Sequence, residues 1–438
     1  MEHSRHSITV TANNRLARGL LAKANTHAEA EGSTAWERPA ILPWGAWIHN
    51  LYDELVLAHG ETRALLPALA ETFLWEDIVA EHTTNDPLLD VSGAADSIQA
   101  AWWLLCEYEV PLKAVLAYAT AEAELLDRCC SSFFQRCEAM GLLDAARLTR
   151  RLCAAFEKGE LPLPQEVLFY GFDEEQTPTR QRLISTLERK GVRVTHGAAT
   201  LHPVPGKRVE FDNGDLEVRS AVRWAAARLM AEPKERVAIV VPQLAHQRGR
   251  LLHELEEALE PHSLLPGAHP QRTLFNLSLG EALSTAPLVH DALLWWRLAA
   301  GATLQHGELL VLLRSPFCAD AEEEAEARAL FGRELSRHGR PEMDLEAIVA
   351  LTERCAERSA AHGKVPPRSW LSGLARFCEE SQKLATCVQP AARWRRALRE
   401  LLATVGWPGE RALDSDEYQQ MQSLGEVLDG LASLDLGL

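Results

Sequence analysis

The sequence predicts an α/β protein whose parallel sheets are interrupted by large all-helical insertions. Short runs of β-branched and aromatic residues alternate with helical segments in two parts of the chain, as in doubly wound sheets. About a hundred residues between these runs carry helical patterns alone. Residues 237–241 (VAIVV) form a continuous apolar run, which is typical of a strand that a parallel sheet buries on both faces.

The first α/β part begins with a β-branched strand over residues 7–11, followed by a helix over residues 13–28. A second short apolar run at residues 39–42 leads into a helix over residues 44–59, whose apolar side chains fall on one face. The insertion that follows is predicted to contain helices over residues 68–81, 94–107, 120–140 and 144–156.

The pattern returns to α/β at Pro164. Strands are predicted at residues 166–172, 192–195, 209–211 and 237–241, with helices at 177–190, 214–231 and 243–260. Helices dominate again from about Leu283, and the last one is predicted over residues 416–436. Because the second sheet has few strands, we expect the chain to be a piece of something longer. The predicted domains are the two parts of a first α/β domain (1–62 and 164–232), a helical insertion (63–163), the start of a second α/β domain (233–300) and a second helical insertion (301–438).

Composition limits the class of protein. The chain has 438 residues, 47% hydrophobic and 24% charged, which predicts a globular protein of two to four domains. It has no apolar run long enough to cross a membrane and no secretory signal, so we expect a cytoplasmic protein without membrane attachment. Nine cysteines without a C-x-x-C pair indicate reduced, mostly buried thiols and no metal site. The H-E-x-x-H and G-x-S-x-G motifs of hydrolases do not occur.

The turn after the first strand is where a phosphate-binding loop would stand. Such a loop needs glycines that let backbone N–H groups wrap the phosphates, together with a Lys and a Ser or Thr. Residues 11–17 (TANNRLA) contain neither Gly nor Lys. Thr11, Asn13, Asn14 and Arg15 therefore predict a degenerate nucleotide site without tight ATP binding and without catalytic residues.

A second polar turn follows the strand at residues 166–172. Asp173 and Glu174 stand at its carboxyl tip, where two carboxylates could hold Mg²⁺ and orient a hydrolytic water. The alternative is an acidic helix start, since carboxylates favour the positive end of the helix dipole. Thr177 and Pro178 suit the cap and the first position of that helix. Both interpretations stay open.

The same residues carry a resemblance. Asp173-Glu174-x-Gln176-Thr177, with Gln181 on the following helix, resembles motif II of UvrD-like superfamily 1 helicases, although the Asp expected after Gln176 is missing. The resemblance implies a P-loop NTPase-like (RecA-like) fold and a nucleotide-facing role for Gln176.

A narrower resemblance covers the chain from end to end. Residues 237–241, followed by Arg248, resemble the entry into the second motor domain, where an Arg reaches the nucleotide. The whole chain is similar to AddB-like DNA-repair helicase–nuclease proteins. The resemblance implies an inactive motor that serves as a DNA-handling scaffold in double-strand-break repair and recombination, beside a UvrD-like helicase subunit. It also implies that a PD-(D/E)XK nuclease with its Mg²⁺, the exodeoxyribonuclease part of a full-length relative, lies outside this chain, so no cofactor is expected here. The segments that carry it are 11–21, 41–48, 170–187, 217–242, 275–280, 313–317, 406–409 and 418–419.

DNA contacts, to a single strand or a duplex end, are predicted at four residues. Trp44 and Trp47 follow the second strand, where related helicases touch single-stranded DNA, and aromatic rings can stack on bases. Trp47 can instead pack into the core. Arg15 and Arg18 can hold a phosphate or form a solvated helix face. The net charge of −17 weighs against a protein that simply coats nucleic acid and leaves two alternatives open: a weak nucleotide hydrolase using Asp173 and Glu174, or a subunit that binds only protein.

Overall fold

The structure is a computed structural model, mostly helical and of α/β type. It divides into two compact units: Met1–Leu201 with Gln389–Arg395 and Leu428–Leu438, and His202–Val388 with Arg396–Val427. The described residues are 7–33, 35–84, 88–118, 120–172, 176–197, 206–265, 274–280 and 282–435.

The helices and strands follow one another in short, regular elements. The chain up to residue 197 forms β1 (Ser7–Thr11), α1 (Asn14–Ala30), β2 (Ile41–Pro43), α2 (Trp44–His59), β3 (Ala64–Leu65), α3 (Ala68–His82), α4 (Val91–Glu107), α5 (Leu112–Val115), α6 (Ala121–Ala139), β4 (Leu142–Leu143), α7 (Ala145–Lys158), β5 (Glu166–Tyr170), α8 (Pro178–Arg189) and β6 (Arg193–Gly197). The remainder forms α9 (Gly214–Ala231), α10 (Leu244–Leu259), α11 (Pro287–Ala299), β7 (Leu304–Gln305), α12 (His306–Arg314), α13 (Ala325–His338), β8 (Glu342–Met343), α14 (Leu345–Ala361), α15 (Arg368–Ala385), α16 (Ala391–Thr404) and α17 (Ser415–Gly430).

A four-stranded parallel sheet with the order β2-β1-β5-β6 organises the first unit. β1 lies in its interior, with Val10 opposite Leu42 of β2 and Phe169 of β5. Neighbouring parallel strands need long crossover connections. The connection from β1 to its neighbour β5 contains β2 and the whole helical insertion. The predicted α/β class is confirmed, and the two chain pieces on either side of the insertion contribute strands to one sheet.

The two faces of this sheet differ. Val10, Val167 and Phe169 point into a core shared with α2, α7 and α8. Leu168 and Tyr170, which alternate with them along β5, are only half-buried. Most of the unit's apolar burial therefore lies on the face that carries α2, α7 and α8.

The helical insertion has its own core around Trp75, Trp102 and Phe133. The rings of Trp75 and Phe133 stack with centroids 4.0 Å apart. Trp102 donates its indole N–H to Asp144, 3.3 Å away, and this buried carboxylate also caps α7. A two-residue parallel pairing of β3 with β4 joins the start of the insertion to its end.

In the second unit, Trp295 and Phe377 anchor the larger core, with ring centroids 4.8 Å apart. Arg328 is fully buried beside Glu324 and donates to the carbonyl oxygen of Ser315 at 3.4 Å. β7 and β8 form a two-residue antiparallel pair.

Two predicted strands are wrong. Residues 209–211 and 237–241 are not strands, because no neighbouring backbone pairs with them, and no parallel sheet occurs in the described part of the second unit. α9, predicted to close the first α/β domain, instead packs against α10 in the second unit.

All nine cysteines are free, and six are buried, as predicted for reduced thiols. Burial raises the pKa of the Cys130 and Cys153 thiols to about 12. Over the described ranges, none of the helices is both long and apolar enough to span a membrane. The same ranges hold no cluster of three or more His, Cys, Asp or Glu side chains suited to a metal ion.

Candidate functional site

The candidate site lies at the carboxyl edge of the four-stranded sheet. Because β2, β1 and β5 are parallel, the residues that follow them emerge at the same edge. α1, α2 and α8 each begin within a few residues of these strand ends. Apart from Arg248, the described residues predicted for nucleotide and DNA contacts belong to these turns or to the first turns of α1 and α2.

The connection between β1 and α1 is only two residues long, Ala12 and Asn13. Asn13 caps the helix in an extended conformation and accepts the N–H of Leu16 at 2.9 Å. The Thr11 hydroxyl donates to the carbonyl oxygen of Asn13 at 3.0 Å, and the Ala12 N–H donates to the carbonyl oxygen of Tyr170 at 3.2 Å. These groups satisfy one another, so the turn offers no backbone loop that could wrap a phosphate.

Gly171 follows β5 beside this turn and has a left-handed backbone with φ +76°. A Cβ at this position would overlap Cδ1 of Leu16. The Leu16 side chain therefore covers the backbone of Gly171 between the two strand ends.

The predicted nucleotide-site residues have different environments. Thr11 is fully buried, whereas Asn13, Asn14 and Arg15 are exposed. Gln176 is half-buried, and its carbonyl oxygen accepts from the Gln181 side chain at 2.8 Å. Asp173 and Glu174 lie outside the described residues. Arg248 belongs to α10 in the second unit and donates to the carbonyl oxygen of Leu279 at 3.2 Å.

The two predicted tryptophans also differ. Trp47 is 2% exposed and belongs to the core, so neither of its faces is available to a base. Trp44 is half-buried and packs edge-on against Trp47 and Phe172, with centroids 5.6 and 6.2 Å away. The Arg180 guanidinium lies 5.1 Å from the Trp44 ring centroid. Arg180 therefore also lies at this edge of the sheet, although the sequence did not predict it as a site residue.

Arg180 and Gly171 were not predicted as site residues. The signal for Gly171 was its place directly after an apolar strand, where glycine often marks a tight turn. Arg180 had no comparable signal, because its contact with Trp44 joins residues far apart in sequence.

The helical insertion is attached beside Arg180. Glu107, the last residue of α4, is 3.7 Å from the Arg180 Nε and accepts a short hydrogen bond from the Thr177 hydroxyl. The Thr179 hydroxyl donates to the carbonyl oxygen of Glu107 at 2.8 Å. Arg182 pairs with Glu109 at 2.9 Å. The start of α8 thus fixes the insertion at the edge of the sheet.

Arg15 and Arg18 are both exposed in the first turns of α1. Neither forms an ion pair with any described residue. Many other arginines, including Arg136, Arg147 and Arg151, pair with carboxylates. Within the part of the chain that the structure describes, Arg15 and Arg18 are therefore cations without a paired carboxylate, on a chain whose net charge is strongly negative.

No protein-family model matches the chain, and no curated protein matches it. The resemblance to AddB-like proteins therefore stays a prediction carried by short motifs.

Proposed function

We propose that this chain is a non-catalytic, helicase-like scaffold that binds DNA within a double-strand-break repair and recombination helicase–nuclease. The observation that carries the proposal is the two-residue β1–α1 turn, closed by Asn13 and covered by Leu16. A parallel α/β sheet with this turn is compatible with a RecA-like motor that lacks a cradle for a triphosphate. Its P-loop NTPase-like ancestry rests on the motif resemblance.

DNA binding is proposed at the carboxyl edge of the sheet. Proteins that bind single-stranded DNA combine positive charge along the backbone with aromatic side chains near the bases. Arg15 and Arg18 supply the unpaired charge. Arg180 lies over Trp44, and the Trp44 ring is half-buried, so we assign phosphate contact, and not base stacking, to this pair.

The test is fluorescence anisotropy with labelled single-stranded and forked DNA, titrated between about 50 and 200 mM salt. The double variant Arg15→Gln/Arg18→Gln is compared with Arg333→Gln/Arg376→Gln, which removes the same charge from exposed positions in the second unit. Each phosphate contact contributes about 0.7 to the slope of log affinity against log salt for single strands. Losing two contacts should reduce the magnitude of that slope by about 1.4, so the affinity of the Arg15→Gln/Arg18→Gln variant depends less on salt. The Arg333→Gln/Arg376→Gln control should leave the slope unchanged.

Absence of DNA binding at both ends of the salt range would remove the proposal, as would equal effects of the two double variants. The nucleotide-hydrolase alternative with Asp173 and Glu174 is separated by calorimetry with Mg-ATP. Micromolar binding that is lost in Asp173→Asn/Glu174→Gln would favour the hydrolase over the scaffold.

A subunit that binds only protein is the second candidate function, and the insertion surface favours it. Trp103, Leu104 and Tyr108 lie close together at the end of α4 and are 46%, 55% and 53% exposed. Contiguous exposed apolar side chains often mark protein interfaces. If Trp103→Ser/Leu104→Ser abolishes capture of a purified UvrD-like helicase subunit while DNA binding is absent throughout, the protein-binding role replaces the scaffold.

A further inference from the structure

Arg180 lies beside a carboxylate as well as an aromatic ring. Its guanidinium lies over Trp44, while its Nε is 3.7 Å from a carboxylate oxygen of Glu107, the last residue of α4. This distance is that of an ion pair and is too long for a hydrogen bond. The Nε of Arg180 is buried and donates to no acceptor among the described residues. Glu107 therefore neutralises the cation without satisfying its buried donor.

α4 also brings its negative end to this position. The last carbonyl groups of a helix carry its partial negative charge. The carbonyl oxygens of Cys106 and Glu107 accept the Thr179 hydroxyl at 3.0 and 2.8 Å, and Arg180 is the next residue of α8. The Glu107 carboxylate additionally accepts the Thr177 hydroxyl. The end of α4 is thus held against the first turn of α8 by polar contacts.

A second carboxylate reaches α8 from the same helix end. Glu109 has φ 54°, in the left-handed region that residues other than glycine rarely adopt. The Val110 N–H donates to the carbonyl oxygen of Leu105 at 2.9 Å and closes the helix around it. Glu109 pairs with the Nε of Arg182 at 2.9 Å. Strained backbone persists where surrounding contacts fix it, and here two ion pairs with α8 do so.

A phosphate at Arg180 would meet the charge of Glu107. A guanidinium binds a phosphate best through two parallel N–H donors, one of which can be Nε. Glu107 lies on the Nε side, and like charges about 4 Å apart repel each other. A phosphate that uses the Nε donor of Arg180 must therefore displace the Glu107 carboxylate.

We propose that Glu107 is a regulatory carboxylate, which competes with a DNA phosphate for Arg180 and thereby weakens DNA binding at the carboxyl edge of the sheet. The inference rests on the DNA binding proposed above and specifies how that site is controlled. Glu107 belongs to the helical insertion, so the attachment of the insertion sets the availability of Arg180. Arg15 and Arg18 are unaffected, since neither forms an ion pair with any described residue.

Glu107→Gln removes the competing charge and keeps a side-chain oxygen that can accept the Thr177 hydroxyl. Binding of a labelled single-stranded oligothymidine to the full chain is measured by fluorescence anisotropy between about 50 and 200 mM salt. A partly exposed ion pair contributes up to about fivefold to an equilibrium constant, so we expect the variant to bind about two- to fivefold tighter. One gained phosphate contact should raise the magnitude of the salt slope by about 0.7.

Glu109→Gln is the matched control. It removes the same charge from the same helix end but leaves the surroundings of Arg180 unchanged. Its partner Arg182 lies two residues after Arg180, and helical residues at this spacing do not share a face. We expect this variant to keep the salt slope of the unchanged chain, because an effect of overall charge alone would appear equally in both variants.

Arg180→Gln tests whether Arg180 is the cation that Glu107 neutralises. In the unchanged chain it should reduce the magnitude of the slope by less than about 0.7, because Glu107 already competes for Arg180. In the Glu107→Gln background it should remove the whole gain. Circular dichroism checks that each variant folds.

Equal affinity and slope for Glu107→Gln and Glu109→Gln would overturn the inference, as would a gain that persists after Arg180→Gln. In both cases the proposed DNA binding still stands if the unchanged chain binds DNA through Arg15 and Arg18. If neither the unchanged chain nor Glu107→Gln binds the oligothymidine at the lowest salt, DNA binding itself is refuted and the role of Glu107 with it.

Discussion

Replacing Gly171 with Ala tests whether Leu16 closes the strand-tip turn. Gly171 has φ +76°, and an added Cβ would overlap Cδ1 of Leu16. Gly159, the C-cap of α7, offers a matched control. It has φ +74° in the same unit, but no atom lies within 4 Å of where its Cβ would be.

The magnitude follows from these two geometries. Placing a Cβ in the left-handed region costs about 1–2 kcal/mol, and this term applies equally to Gly171→Ala and Gly159→Ala. Leu16 must also leave its rotamer in the first variant, which adds about 0.5–1.5 kcal/mol. We therefore expect Gly171→Ala to lower local stability by about 1.5–3.5 kcal/mol and Gly159→Ala by about 1–2 kcal/mol, so that the two variants differ by about 0.5–1.5 kcal/mol.

The assay is native-state hydrogen exchange of the amides in β5 and the first turns of α1, because a chain of two units need not unfold in a single step. Leu16→Ala completes a double-mutant cycle. In the Leu16→Ala background, Gly171→Ala should cost no more than Gly159→Ala does in the unchanged chain.

Two results would refute the reasoning. One is a Gly171→Ala variant no less stable than Gly159→Ala. The other is a cost of Gly171→Ala that stays the same after Leu16→Ala. Either result would mean that Leu16 does not press on Gly171, and the space beside the strand tips would then be open to a ligand.

Two further predictions concern pH. Arg63 lowers the pKa of Glu61 to about 2, with a further contribution from Arg151, so Glu61 stabilises the fold above its unfolded pKa and loses this contribution as pH falls toward 2. Urea denaturation at pH 7 and pH 3 should show Glu61→Gln losing up to about 3 kcal/mol at pH 7 and much less at pH 3, and an equal loss at both would contradict this. Burial raises the pKa of Asp291, so its carboxylate lowers stability as pH rises above the range in which an unfolded Asp ionises. Asp291→Asn should therefore unfold at a higher temperature than the unchanged chain at pH 7 but not at pH 3, and a lower melting temperature at pH 7 would refute the assignment.

The sequence by itself determined where the helices form. It also determined that the turn after β1 lacks the glycines and the lysine of a phosphate-binding loop. The helix predicted over residues 44–59 is α2, and the helix predicted over residues 214–231 is α9. Helical periodicity is a local property, since residues three and four apart share a face. The composition of residues 11–17 is equally local, and it excluded a glycine-rich loop before any contact was known.

Tertiary structure decided which apolar runs became strands. Residues 237–241 have the composition of a buried strand, as residues 166–170 do, but only the latter found neighbours. A strand exists only through backbone pairing with a distant segment, and local sequence does not specify that partner. For the same reason, the cover of Leu16 over Gly171 and the contact of Arg180 with Trp44 became visible only once β1, β2 and β5 lay side by side.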